Sequence, residues 1–122
     1  MIERFSGPDG ERVLIDALLR QSAIQGDKGL AAQLARIVTV QEVKSGSLLI
    51  QQDHTDNDMY FILVGRFSIS VNGREVASRS AEQYVGEMAL IDPKAKRSAT
   101  VVALEDSAVA KISEAQFSQL AE

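Results

Sequence analysis

The sequence contains no cysteine. That removes disulfides, thiolate metal sites and a cysteine nucleophile together. Histidine is almost as scarce. The only one, His54, lies in a polar loop beside Asp53, Asp56 and Asp58. Carboxylates bind hard cations, but this loop lacks the glycine and closing glutamate of an EF-hand, and it reads as a solvated turn. A cupin-type barrel metalloenzyme needs two or more histidine ligands. Ser98, His54 and an aspartate could be written as a triad, yet no G-x-S-x-G elbow surrounds any serine. The phosphate-loop pattern G-x-x-x-x-G-K-[ST] is missing as well. Catalysis and a resident metal are therefore not expected.

An excess of positive charge is also absent. Thirteen Lys and Arg face seventeen Asp and Glu, for a net charge of −4, which disfavours duplex DNA and anionic membrane surfaces as partners. No apolar run approaches the ~20 residues of a spanning helix, and Met1-Ile2-Glu3-Arg4 does not open a signal peptide. The expectation is a soluble cytoplasmic domain. Its 122 residues, 45% hydrophobic and 25% charged, are enough for one buried core.

Two patterns are present. From Asp9 or Gly10, residues Val13, Leu14, Ala17 and Leu18 recur at helical spacing, and Leu30, Leu34 and Ile37 repeat it after a turn at Asp27-Lys28-Gly29. From Val38 the period becomes that of strands. Met59 to Val64 is the strongest, and Phe67, Ile69 and Val71 alternate with polar residues before Asn72-Gly73, a two-residue hairpin signal. Further strands are expected at Arg74 to Arg79, Ala99 to Ala103 and Ala108 to Ile112. Ser113-Glu114-Ala115-Gln116 then has the form of a capping box that starts a helix. About eight short strands, with no helix between them from 38 to 83, predict a mainly β fold. The expected form is an eight-stranded antiparallel jelly-roll barrel, 38–122, with a helical segment, 1–37, packed on it.

One stretch resists a purely structural account. Glu87 is embedded in Tyr84-Val85-Gly86-Glu87-Met88-Ala89-Leu90, where a carboxylate without a partner is costly. A short turn over Met88–Ile91 would present its first N–H groups to an anion. Ten positions after Glu87, Arg97-Ser98 offers a guanidinium fork and a hydroxyl. A phosphate on Arg97 and backbone amides, with a sugar hydroxyl on Glu87, describes a cyclic mononucleotide.

The blocks Gly86-Glu87-Met88-Ala89-Leu90 and Arg97-Ser98-Ala99-Thr100-Val101 closely resemble the phosphate-binding cassette of cyclic-nucleotide-binding domains. The resemblance runs over about residues 37–120 and includes Gly46, Asp53, the strand from Asp58 to Leu63, and Gly65. It implies that Glu87 binds the ribose 2′-hydroxyl and Arg97 the cyclic phosphate. Ser98 and the amides of Gly86, Met88, Ala89 and Ala99 would assist at the phosphate. Ile69, Val85 and Val101 are candidates for an apolar wall near the base. Gln52-Asp53 departs from the family's usual Gly-Asp, and the chain ends where the family's lid helix begins.

The wording VGEMALID…RSATV, with the leading helices, is similar to the sensor of TIR-fused effectors of bacterial Pycsar anti-phage systems. In that family a pyrimidine cyclase makes cyclic UMP or CMP, and the TIR effector binds it, assembles and degrades NAD. The resemblance thus implies a small second messenger as ligand (cyclic UMP first, cyclic AMP or cyclic CMP next), a fused C-terminal effector and self-association. The competing expectation is a cyclic AMP sensor of a transcription regulator or other signalling protein.

Overall fold

The computed structural model describes residues 1–87, 92 and 94–121. Helix α1 spans Gly10–Leu19 and α2 spans Lys28–Ile37. The described strands are β1 Thr39–Val43, β2 Leu48–Ile50, β3 Asp58–Val64, β4 Arg66–Val71, β5 Arg74–Ser80, β6 Tyr84–Val85, β7 Thr100–Ala103 and β8 Ser107–Ser113, followed by helix α3, Glu114–Ala121. Helix α2 begins two residues before the apolar pattern does, because the Asp27 carboxylate caps it, accepting from the Leu30 N–H at 3.0 Å.

The strands form two four-stranded antiparallel sheets, ordered β1-β8-β3-β6 and β2-β7-β4-β5. The eight-stranded jelly-roll class is as expected, but the barrel is not closed. Alternation along a strand is the same in a sandwich and in a barrel, so strand periodicity alone could not foresee this. One inner edge, β6, is only two residues long and ends the first sheet without pairing to the second.

The unbroken run in β3 has a physical cause. Met59, Phe61 and Leu63 face one way and pack with Leu14, Leu18 and Leu34 of the helices, together with Ala110 and Ile112 of β8. Tyr60 and Ile62 face the other way and meet Phe67, Val85, Val101 and Val109 between the sheets. A strand buried on both faces cannot alternate apolar with polar. Gln21 ties the helical segment to this strand by donating from Nε2 to the Ile62 carbonyl at 3.0 Å.

Local signals fold as their chemistry requires. Asn72 and Gly73 have φ of 52° and 81°, and Val71 pairs with Arg74 across the turn. In the capping box, the Ser113 hydroxyl accepts from the Gln116 N–H at 3.2 Å and the Gln116 amide oxygen accepts from the Ser113 N–H at 3.0 Å. Gln116 also donates from Nε2 to the Ile37 carbonyl at 2.9 Å, joining α3 to the end of α2. The expected cassette helix over Met88–Ile91 lies outside the described residues. No helix among those described is long and apolar enough to cross a membrane.

Candidate functional site

Arg97 is charged yet only 5% exposed. A guanidinium keeps its charge even when buried, so the fold has to supply partners. Most come from the polar loop between β2 and β3. The Asp53 N–H donates to the Arg97 carbonyl at 2.8 Å, and the Arg97 N–H donates to the His54 carbonyl at 2.7 Å. At the side chain, Nη2 donates to Asp56 Oδ2 at 2.9 Å and to the Asp58 carbonyl at 2.6 Å. Nη1 donates to the Gly86 carbonyl at 3.4 Å. Among the described residues Nε, although buried, has no partner. The loop that the sequence presents as a solvated turn is therefore the clamp that fixes this arginine. Gln52 anchors the clamp to the hairpin, its side-chain amide pairing with the Asn72 side chain at 3.0 Å and the Asn72 N–H at 2.8 Å.

Gly86 makes the close approach possible. Its φ is 84°, and a Cβ there would lie 2.8 Å from the Asp58 carbonyl oxygen and 3.0 Å from Arg97 Nη1. An added side chain would press on the Asp58 carbonyl and on the guanidinium together.

Arg97 opens onto a cavity of about 650 Å³, within the usual range for small-molecule sites. Gly86, Glu87, Arg97, Ser98 and Ala99 line it on one side. Ile69, Val85 and Val101 line it too, from β4, β6 and β7. These residues come from three strands and from the connection between β6 and β7, and the structure gathers them around one space. Met88 and Ala89 lie outside the described residues. Val85 and Val101 are buried at 4% and 3% exposure, whereas Glu87 and Ile69 are half-buried. The lining also includes Ile50, Lys96, Ser22, Arg79 and Gln83, which the sequence patterns did not single out. Lys96 follows from its place beside Arg97. The contact with Asp56, 41 positions away, carries no local signal.

The electrostatics pair a buried cation, Arg97, with a partly exposed internal anion, Asp56. The Arg97 N–H donated to Asp56, with the arginine charge adding to it, holds the Asp56 carboxyl below its ordinary pKa of 3.8, and desolvation opposes this only in part. A depressed folded-state pKa stabilises the fold above the unfolded value, and the contribution is lost as pH falls through the folded one. Asp56 is 45% exposed, so the pair contributes within the ~1 kcal/mol of solvent-screened pairs. Melting curves of the wild type and Asp56→Asn should differ at neutral pH and converge as acid takes the pH down through the lowered Asp56 pKa. A gap that persists unchanged into acid would show that Asp56 stabilises by something other than its charge.

A family model described as a cyclic nucleotide-binding domain matches residues 40–122. The chain is 53% identical over 120 residues to "Pycsar effector protein BcPycTIR" of Burkholderia cepacia, a match covering 98% of this chain and 40% of that protein. It thus spans 40% of the length of the curated relatives it matches first. Among solved structures, the regulatory domain of Toxoplasma gondii protein kinase A with cAMP is similar, with a TM-score of 0.82 and 22% identity over 91% of this chain and 45% of that one. A regulatory subunit of a cAMP-independent protein kinase A from Trypanosoma cruzi, bound to guanosine, has a TM-score of 0.80 and 21% identity over 89% of this chain and 40% of that one. At such identities these two establish the shared fold.

Proposed function

Since the chain belongs to the cyclic nucleotide-binding domain family, we propose that the cavity beside Arg97 binds a 3′,5′-cyclic mononucleotide, with cyclic UMP as the first candidate. The observation that carries this reading is the buried guanidinium of Arg97, whose Nε has no partner among the described residues, in the lining of a cavity of about 650 Å³. A phosphate on the Nε edge would share Nη2 with Asp56 or displace it, exchanging an internal carboxylate for the ligand anion. Glu87 takes a ribose hydroxyl. Ser98 and the amides of Gly86, Met88, Ala89 and Ala99 are proposed to complete the phosphate contacts.

The proposed output is control of a TIR effector that degrades NAD during anti-phage defence in the bacterial cytoplasm, with the effector domain on the same polypeptide and assembly of several copies. The name of the Burkholderia relative supports this. Neither nucleic acid nor membrane is a partner in this scheme. Ligand binding can shift such an effector only by the difference in affinity between its two states. The alternative, a cyclic AMP sensor, draws on the Toxoplasma domain that shares the fold.

Titration calorimetry with cyclic UMP, CMP, AMP and GMP tests the reading. The wild type should bind at least one of them. Glu87→Gln should bind it about fivefold more weakly, because an amide oxygen still accepts from a hydroxyl but without the charge. A well-folded wild type that binds none of the four would overturn the proposal.

A further inference from the structure

Strand β5 inverts the usual placement of polar and apolar residues. Val76 is 58% exposed, while Arg79 is half-buried and lines the cavity. Register explains the inward turn. Arg79 lies directly opposite Phe67, which is fully buried between the sheets, and Phe67 in turn lies opposite Ala103. Residues opposite one another in antiparallel strands share a face. In the second sheet β5 stands two strands from β7, or about 10 Å at ordinary strand spacing. Arg79 therefore reaches the cavity from the same sheet as the strand that follows Arg97, two strands farther along it.

What Arg79 offers there is chemically one-sided. A guanidinium has five N–H donors and no acceptor, and among the described residues one contact draws on them, Nη1 to the Ser78 carbonyl at 2.9 Å. Gln83, also on the lining, has its carbonyl oxygen engaged by the Ser80 N–H at 2.7 Å, which leaves its amide N–H groups to donate. Ser22 on the same lining can donate or accept, and so does not discriminate. With the phosphate and ribose held by Arg97 and Glu87, the base is the part of the ligand left to meet this wall.

Resting on the cyclic-nucleotide reading, we infer that Arg79, with Gln83, forms a donor wall that selects bases carrying carbonyl oxygens over adenine. Uracil, cytosine and guanine each present at least one carbonyl oxygen. Adenine has none; its acceptors are ring nitrogens, and its exocyclic amino group is a donor that would face donors. A donor left facing a donor under a bound ligand discriminates against that ligand.

The test is calorimetry of this chain with all four cyclic nucleotides, on wild type, Arg79→Ala and Arg79→Lys. Wild type should prefer at least one carbonyl-bearing ligand over cyclic AMP. Arg79→Ala should weaken that ligand about tenfold to a hundredfold, the range of one good arginine–base contact, while cyclic AMP changes by less than about threefold. Arg79→Lys keeps the charge but not the fork and should lose most of the preference. An equal loss for cyclic AMP would mean that Arg79 acts by charge alone, and no change for any base would mean that it does not touch the ligand. Either result overturns the inference and leaves the cyclic-nucleotide reading intact. Wild type binding nothing overturns both.

Discussion

Replacing Arg97 with alanine is expected to weaken binding of the cyclic nucleotide by about 2–4 kcal/mol, roughly a thirtyfold to thousandfold loss. The size follows from what is removed. The guanidinium is 5% exposed, so its bond to a phosphate forms away from water, where charge-assisted bonds are strong. The clamp from the Asp58 and Gly86 carbonyls and Asp56 orients it before any ligand arrives, so little ordering cost is left for binding. Arg97→Lys should recover only part of the loss, because one ammonium cannot satisfy two phosphate oxygens side by side while meeting the same clamp. Arg97→Ala also leaves carbonyls without donors, so its melting temperature has to be measured beside its affinity. Unchanged affinity in a folded Arg97→Ala protein would place the ligand elsewhere.

The largest effect on stability is expected at Gly65, the single residue between β3 and β4, where the chain passes from one sheet to the other. Its φ is 100°, and a Cβ would lie 1.9 Å from the Ser107 hydroxyl oxygen, 2.5 Å from its Cβ and 2.9 Å from its Cα. Ser107 cannot yield, since it is fully buried and opens β8 opposite Val43. Gly65→Ala combines a left-handed backbone penalty with overpacking, together about 2–5 kcal/mol. For a domain of this size that is a fall in melting temperature of roughly 10 °C or more. Gly73→Ala is the control. Its φ of 81° is comparable, but a Cβ there meets nothing within 4 Å, so only the backbone penalty applies. Equal melting temperatures for the two variants would remove the steric argument.

Much of the fold was legible in local chemistry. The shift from helical to strand period near Val38, the Asn72-Gly73 turn and the Ser113–Gln116 box each act over a few residues, and each appears in the structure. The grouping of the residues proposed to meet the phosphate and ribose was legible for a similar reason, since Gly86, Glu87, Arg97 and Ser98 fall within one short stretch and one cavity gathers them. The loop from Gln51 to Asp58 is largely exposed, as expected, but its second role was not legible. Its polarity suits a solvated turn, and nothing local marks Asp56 as the partner of an arginine 41 residues later.

The sequence by itself determined most of the segments that become helices or strands, and placed a carboxylate and a guanidinium ten positions apart in the stretch proposed to face a cyclic phosphate. These depend on residue type and on spacing within a few positions. Only the tertiary structure decided that the two sheets stay open, that the polar loop clamps Arg97, and that Arg79 turns inward opposite Phe67. Those depend on the register of strands far apart in the chain, and a slip of one residue would turn Arg79 to the opposite face.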